Sequence, residues 1–410
     1  MTPTVPTDPL EGELLDGRYL VETKIATGGM STVYRGLDTR LDRPVACKVM
    51  DPRYAGDQQF LTRFQLEARA VARLKHPGLV AVYDQGRDHR HTFLVMELVE
   101  GGTLRELLRE RGPMPPHAVT AVLRPVLGGL GVAHRAGLVH RDVKPENVLI
   151  SDDGEVKLVD FGLVRAMAEA GITSTSVILG TAAYLSPEQV ASGSSDPRSD
   201  VYSVGILTYE LLTGATPFTG DTALALAYQR MDHDVPAPST QIEGVPVQFD
   251  ELVLRATSRD ADRRYPDAAA MAEHLEAIAA ELNLPAFQVP APRNSAQHAS
   301  AEIHQSRIHE HTTERHAAPA APAPILPVRH PTRAMTRGPD DWDDATAEHQ
   351  DFELPPAGQF AGIDITEFAW ARQRARRTTI LWLAVVLVLT GSVAAAGWSL
   401  GSNLTALLGP

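Results

Sequence analysis

The sequence predicts an α+β fold in which a small, strand-rich lobe is followed by a larger helical lobe. Short apolar segments with strand-like patterning fill residues 18–100, whereas helical spacing of apolar side chains dominates residues 101–282. The chain has 410 residues, 43% of them hydrophobic, so it can bury a substantial core and exceeds the length of one ordinary domain. We therefore expect one globular region, accompanied by segments of a different kind.

The strand-rich lobe is predicted from short apolar segments and one amphipathic segment. In the amphipathic segment, Phe64, Ala68 and Val71 recur at helical spacing and predict a helix over residues 60–74. The strands are predicted at residues 19–25, 33–36, 44–50, 80–84 and 92–98. Helices of the second lobe are predicted at residues 104–110, 117–135 and 201–212.

Composition changes on both sides of the globular region. Residues 1–17 form an N-terminal extension without the basic start and apolar run of a signal peptide. Residues 283–362 are rich in Pro, Ala, His and Thr and bury little apolar surface. We expect this segment to be a disordered linker.

The C-terminal region has the pattern of a single membrane span. Residues 378–400 form a 23-residue, mostly apolar run, long enough to cross a hydrocarbon core of about 30 Å. A basic juxtamembrane segment, residues 363–377, precedes the run, and the short tail 401–410 follows it without charge. The basic side chains nearest the run are Arg372, Arg374, Arg376 and Arg377. They predict that the globular region is cytoplasmic, below a plasma membrane whose anionic lipid they contact.

Charge and cysteine content limit the class of protein and its compartment. The net charge of −13 argues against a protein that binds nucleic acid through a broad basic surface. The one cysteine, Cys47, cannot form an internal disulfide, which fits a reducing compartment for most of the chain.

A glycine-containing turn and a lysine on an apolar segment are the first candidates for chemistry. Gly28 and Gly29 allow backbone N–H groups to approach phosphate oxygens, although such a pair alone is more often an ordinary hairpin turn. Lys48 lies in an apolar strand, where an ammonium needs a partner, and Glu67 on the next helix is a candidate. Taken alone, each of these two residues is better interpreted as an ordinary surface charge.

Three further motifs indicate that these residues belong to one functional set. They are His140-Arg141-Asp142-Val143-Lys144-Pro145-Glu146-Asn147, then Asp160-Phe161-Gly162, then Ser186-Pro187-Glu188. Together with the glycine turn, strand lysine and helix glutamate, and in this order, they resemble the eukaryotic-type protein kinases over residues 19–280. The resemblance implies the bilobal protein kinase fold. The order of kinase, linker and single span resembles the transmembrane serine/threonine kinases of actinobacteria.

The resemblance also implies roles for the catalytic residues. Asp142 would accept the proton of the attacking hydroxyl, and Lys144 would steady the γ-phosphate, as in serine/threonine kinases. Asn147 and Asp160 would ligate Mg²⁺ or Mn²⁺. Asp200 would hold the catalytic loop, and the pair Glu188–Arg264 would close the large lobe. His140 is expected to be a packed core residue.

By the same resemblance, ATP would bind between the lobes. Lys48, oriented by Glu67, would hold the α- and β-phosphates. The other residues expected around the nucleotide are Ile25, Gly28, Gly29, Val33, Ala46, Met96, Glu97, Val99 and Leu149. Ala26 and Ser31 stand where family members usually carry glycine, which indicates an altered loop of changed ATP affinity.

Regulation is predicted between Asp160 and Glu188. A phosphate on Thr173 or Thr175 could pair with Arg141 and order this segment, whereas the bland alternative is an ordinary polar loop. Beyond protein substrates, partners implied are phosphothreonine-binding domains and a second copy of the chain, since small residues in the apolar run suit helix pairing.

Two other classes of function compete with a kinase. A pseudokinase scaffold should lack Lys48, Asp142 or Asp160, and all three are present. A small-molecule phosphotransferase would not be expected to carry the Ser186-Pro187-Glu188 segment. Both alternatives are therefore minor.

Overall fold

The computed structural model describes residues 8–29, 31–54, 58–88, 91–161, 183–220, 223–316, 359–360 and 363–364. The chain divides into two units, Met1–Ser306 and Arg307–Pro410. In the second unit, strands β10 (Gln359–Phe360) and β11 (Ile363–Asp364) pair antiparallel. The following paragraphs concern the first unit.

The N-terminal lobe is built on a six-stranded antiparallel sheet. Its strands are β1 (Leu14–Leu15), β2 (Tyr19–Thr27), β3 (Ser31–Asp38), β4 (Arg43–Met50), β5 (Val82–Asp88) and β6 (His91–Met96), in the order β1-β2-β3-β4-β6-β5. Helix α1 (Gln58–Val71) packs beside the sheet. Every strand and the helix predicted for this lobe are confirmed, with ends shifted by a few residues.

The alternation of side chains along β4 divides the core of this lobe into two layers. Val45 and Cys47 belong to one cluster with β6, whereas Ala46 belongs to the other, which includes Phe64 and Ala68 of α1. Because neither face of β4 is left to solvent, the strand reads as a continuous apolar run.

The C-terminal lobe is mostly helical. A small antiparallel sheet contains β7 (Gly101–Thr103), β8 (Val148–Ser151) and β9 (Val156–Leu158). The helices are α2 (Leu104–Arg111), α3 (Pro116–Arg135), α4 (Pro187–Ser192), α5 (Pro197–Thr213), α6 (Ala223–Asp232), α7 (Val247–Ala256) and α8 (Ala268–Glu281). A further helix, α9 (Ala296–His316), begins in the first unit and continues past its end at Ser306.

Helix α5 lies at the centre of this lobe. All residues from Ser199 to Leu212 are buried, so the helix is enclosed on every side. Asp196 caps its first turn by accepting the N–H of Arg198, and Gly214 ends it with a positive φ of 83°. A helix fixed at both ends and buried all round is a rigid support for the loops around it.

The structure corrects the predicted start of the linker. Residues 283–306, expected to be disordered, pack against the rest of the first unit, and Val289 and Ser295 are buried. Composition misled because polar side chains in this segment bind the protein instead of water, as Ser295 does with the carbonyl of Gly101. The greater part of the predicted linker, residues 317–358, lies outside the described residues.

The predicted membrane span at residues 378–400 also lies outside the described residues. Among the helices that the structure describes, none combines the length and the apolar composition needed to cross a bilayer.

The expected ion pair between Glu188 and Arg264 is present. Arg264 donates two hydrogen bonds of 2.9 Å to the Glu188 carboxylate, and Ser199 donates a third of 2.7 Å. Burial alone would raise the pKa of Glu188, but these donors and the guanidinium charge lower it to about 2. The Glu188 carboxylate therefore stabilises the fold at every pH at which it is ionised.

We expect Glu188→Gln to lower the free energy of unfolding by about 3 kcal/mol at pH 7, because it leaves the Arg264 guanidinium buried without a counter-charge. Since folding depresses the pKa from 4.5 to about 2, the difference from wild type should shrink as the pH falls through that window. Urea unfolding between pH 7 and pH 3 measures it.

Glu276→Gln provides the matched control, because Glu276 pairs with Arg124 at 2.6 Å in an exposed position. Its effect should stay below about 1 kcal/mol. An equal loss for the two variants at pH 7 would contradict the assigned importance of the buried pair.

Candidate active site

The catalytic-loop backbone is held by one buried carboxylate. Asp200, in the first turn of α5, accepts the N–H groups of His140 and Arg141, both at 2.7 Å. Its Oδ2 also lies 2.8 Å from Nε2 of His134. Because Nδ1 of His134 accepts the N–H of Ala268, the proton of that ring is on Nε2 and points at Asp200. The expected role of Asp200 is thus borne out by geometry.

Asp142 and its neighbours form the centre of the site. The Asp142 carboxylate is 7% exposed, and its Oδ2 accepts hydrogen bonds from Lys144 Nζ at 2.8 Å and from Asn147 Nδ2 at 2.9 Å. Asn147 Nδ2 also donates to the carbonyl oxygen of Asp142 at 2.8 Å. The sequence spacing therefore brings these three predicted residues together.

The same contacts orient the amide of Asn147. Since its nitrogen is directed at Asp142, its oxygen faces the other way and is the atom that could accept a cation. The Asp160 side chain is 25% exposed, so its carboxylate is partly accessible. Two oxygen donors suit Mg²⁺, which usually keeps several waters and binds substrate phosphates as well.

Lys48 is buried on β4 and forms an ion pair with Asp160, with Nζ 2.7 Å from Oδ1. Burial would raise the pKa of the Asp160 carboxyl, but the neighbouring Lys48 ammonium lowers it overall, so Asp160 stays ionised at neutral pH. Asp160 has a φ of 67°, a strained backbone conformation at a functional position.

Among the ion pairs of the described residues, Lys48 pairs with Asp160, and the predicted pair of Lys48 with Glu67 is not one of them. Sequence spacing placed Glu67 on the correct helix, but it could not fix the distance of that helix from the sheet. A small cavity separates α1 from the Asp160 segment, with Ala68, Val71 and Phe161 in its lining.

Most of the predicted nucleotide pocket is assembled. Ala46 and Met96 pair across β4 and β6 and are buried in one cluster, against which Val33, Val99 and Leu149 pack. Ile25 is half-buried in β2. This cluster forms the apolar wall expected for an adenine ring.

The N–H and the carboxylate of Glu97 both bind other groups of the protein. Its N–H donates to the carbonyl of Ala81 at 2.8 Å, and its carboxylate lies 2.7 Å from Lys157 Nζ. Of the groups at this position, the backbone carbonyl is therefore the one that could accept a hydrogen bond from a ligand.

The glycine turn keeps its expected position between β2 and β3. The N–H of Gly28 donates to the carbonyl of Ser31 at 2.8 Å, and a Cβ at Gly28 would lie 3.3 Å from that oxygen. Gly29 follows it in the turn. Ala26 pairs with Val33 beside a β-bulge, so the substitution of the usual glycine is accommodated within the ladder.

His140 is packed, as expected. The ring is fully buried, lies 4.6 Å from the Phe161 ring between centroids, and contacts the Val159 carbonyl through Nε2 at 3.0 Å. Burial lowers the pKa of His140, so the ring is neutral at physiological pH. It connects the catalytic loop to the Asp160 segment.

Sequence reasoning missed Arg105, which joins three elements beside the catalytic loop. Its guanidinium donates to Glu146 at 2.8 Å, to Glu210 at 2.6 Å and to the Tyr184 hydroxyl at 2.6 Å. Tyr184 also donates to Glu210. These partners are far apart in sequence, so no local spacing indicates the cluster.

The predicted phosphorylation sites Thr173 and Thr175 lie outside the described residues. The structure shows the base of the segment that would carry them: Arg141 has a φ of 70°, and its carbonyl accepts a hydrogen bond from Gln189 at 3.2 Å.

Comparison with known proteins agrees with this geometry. Residues 19–274 match the family described as the protein kinase domain. The chain is 69% identical over 401 residues, 98% of each chain, to the serine/threonine-protein kinase PknL of Mycobacterium tuberculosis. It is 43% identical over 262 residues to PknB of Mycobacterium leprae, which covers 63% of this chain and 42% of that protein.

Solved structures show the same fold. The kinase domain of Mycobacterium tuberculosis PknI superposes with a TM-score of 0.53 at 26% identity, covering 66% of this chain and 99% of that domain. With the bilobal architecture and the Asp142 cluster, these likenesses lead to one conclusion. The chain belongs to the protein kinase family, as an enzyme that transfers phosphate to serine and threonine side chains of proteins.

Proposed function

We propose that this kinase uses ATP with Mg²⁺ or Mn²⁺, phosphorylates its own activation segment and signals from a membrane. The observation that carries the catalytic part is the buried Asp142 cluster, in which a carboxylate, an ammonium and an amide converge on one point. Such a constellation fits phosphoryl transfer, where catalysis consists mainly of positioning and charge neutralisation.

In this proposal Asp142 orients the acceptor hydroxyl and takes its proton as the hydroxyl oxygen attacks phosphorus. Lys144, already beside Asp142 Oδ2, offers positive charge to the phosphoryl group. The bound metal–ATP complex supplies the transferable γ-phosphoryl group. Its ligands in the protein would be the Asn147 amide oxygen and the Asp160 carboxylate.

The adenine would rest on the wall formed by Val33, Ala46 and Leu149, and Lys48 would bind the α- and β-phosphates. Once Asp160 serves as a metal ligand, Lys48 requires another carboxylate to orient it. Glu67 on α1 is the candidate, so we infer that this helix moves toward β4 in the active state.

Activation is proposed to depend on Thr173 and Thr175. A phosphate on either residue would provide a counter-charge for Arg141, whose neighbour Asp142 is the proposed base. The segment that follows is tied to this loop by the hydrogen bond between Gln189 and the Arg141 carbonyl. Ordering of the segment that contains Gln189 would therefore also restrict the loop that contains Arg141, and the reverse.

Anchoring and partners are part of the proposal. Residues 378–400 would form a single span with the kinase in the cytoplasm, and the arginines at 372–377 would contact anionic lipid. The span could pair with a second copy of the chain. Phosphothreonine in the polar chain between kinase and span would attract Arg-lined phosphopeptide-binding domains.

We expect Asp142→Asn to lower phosphate transfer to an added protein substrate by at least about a hundredfold, because the variant loses the proposed proton acceptor. Lys48→Met should cause a comparable loss by removing the phosphate ligand. Incubation of the purified chain with labelled ATP and Mg²⁺ measures both.

Asp42→Asn is the control for this experiment, since Asp42 is exposed in the turn between β3 and β4 and its φ of 49° also suits asparagine. It should retain wild-type transfer. Undiminished labelling in Lys48→Met, or none in wild type, would refute the proposed mechanism.

Replacing both Thr173 and Thr175 by Ala should lower turnover of an added substrate severalfold, because Arg141 then lacks its phosphate partner. Thr240→Ala, which changes an exposed threonine at the end of the short 3-10 helix Pro238–Thr240, controls for loss of a hydroxyl. If the double variant equals phosphatase-treated wild type and both equal the phosphorylated enzyme, activation does not depend on these sites.

A further inference from the structure

The chain does not leave the kinase domain after α8. Residues 285–306, here called the C-terminal clasp, run back over the segment that joins the two lobes. Val289, Ser295 and Ser300 in the clasp are 2%, 5% and 2% exposed. In a flexible tether without contacts to the domain, these side chains would be exposed to solvent.

The clasp binds the helical lobe at the edge nearest the hinge. Ser295 Oγ donates to the carbonyl of Gly101 at 2.5 Å, and His298 Nε2 lies 2.9 Å from the Asp152 carboxylate. Gln288 Nε2 donates to the carbonyl of Asp153 at 2.5 Å. The clasp thus contacts β7 and the β8–β9 turn.

Two carboxylates of α2 hold the backbone of the clasp. Glu110 accepts the N–H of Arg293 at 2.7 Å, and Glu106 accepts the N–H of Ala296 at 2.9 Å, at the start of α9. The other oxygen of Glu106 accepts the N–H of Thr103 at 2.7 Å. One carboxylate therefore serves the first turns of two helices, a favourable place for negative charge.

Glycines make the close approach of the clasp sterically feasible. A Cβ on Gly102 would lie 2.4 Å from Cγ of Pro292 and 2.6 Å from Cβ of Ser295. A Cβ on Gly154 would lie 2.6 Å from Cγ of Gln288. The surface of the kinase domain is shaped to receive this segment.

The clasp also reaches the strand-rich lobe. His304 Nε2 lies 3.6 Å from Glu22 on β2, three residues before Ile25 in the proposed nucleotide pocket. Arg35 lies 3.5 Å from the same carboxylate and 2.9 Å from Glu100, at the start of the helical lobe. The clasp therefore contacts both lobes across their connection.

The attachment includes destabilising as well as stabilising contacts. Gln297 Nε2 and Ser300 Oγ are buried without a hydrogen-bond partner among the described residues. Each such group costs about 1–3 kcal/mol, which offsets hydrogen bonds that contribute about 1 kcal/mol each. The two unpaired groups therefore weaken the net attachment of the clasp, whereas Val289 belongs to the core of the helical lobe.

We propose that the C-terminal clasp is an intramolecular docking segment that restrains movement of the two lobes. It thereby couples the nucleotide cleft to the chain that follows residue 306. The segment that docks on this surface belongs to the same chain, because the covalent connection keeps it near the surface at a high effective concentration. The kinetic part of the proposal rests on ATP-dependent kinase activity; the docking part does not.

His304→Ala in the full-length chain tests the coupling. It should raise KM for ATP at least about threefold without lowering kcat, because the strand-rich lobe loses its contact with the clasp. Glu22→Gln should have the same effect, and the double variant should add little to either. Ile303→Ala, 48% exposed on the same helix, is the matched control and should behave as wild type.

Hydrogen exchange reads the docking independently of activity. Amides of residues 297–306 should be protected in wild type, and Ser295→Ala should increase exchange both there and at residues 97–103. Rapid exchange of residues 297–306 in wild type would overturn docking. Unchanged KM in His304→Ala and Glu22→Gln, despite protection in wild type, would overturn coupling. Absence of activity in wild type and in all variants, with the amides of residues 297–306 still protected, would count against the proposed function and not against docking.

Discussion

The active site depends on one buried charge, the carboxylate of Asp200. It has no solvent exposure, and burial of such a polar group is tolerable only because the N–H groups of His140 and Arg141 and the His134 ring are directed at it. Removing those donors would cost several kcal/mol, so the loop and the helix hold each other in place. The positive φ of Arg141 and the position of Asp142 follow from this attachment.

Helix α5 extends the same principle along its length. Ser199 supports the ion pair of Glu188, and Glu210 receives the guanidinium of Arg105. Outside this centre, Lys48 pairs with Asp160, and the C-terminal clasp contacts β2 through His304 and Glu22.

The sequence predicted well wherever chemistry and local spacing coincide. Asp142, Lys144 and Asn147 lie within one loop, so their meeting follows from the motif, and the strands follow from short apolar runs. The partner of Lys48 could not be predicted, because Glu67 and Asp160 are both acidic and sequence spacing does not give their distances from the ammonium. Arg105 and Ser295 escaped notice because polar side chains are satisfied equally well by water or by distant residues of the fold.

Hydrogen exchange at the amides of His140 and Arg141, in wild type and in Asp200→Asn, tests the central role of Asp200 most directly. The asparagine side chain keeps one oxygen acceptor but replaces the other by a donor, so it cannot accept both N–H groups as the carboxylate does. We predict that these amides exchange at least about a hundredfold faster in the variant and that kcat falls with them, while KM for ATP stays within about twofold. Slow exchange at both amides together with wild-type turnover in Asp200→Asn would contradict the account.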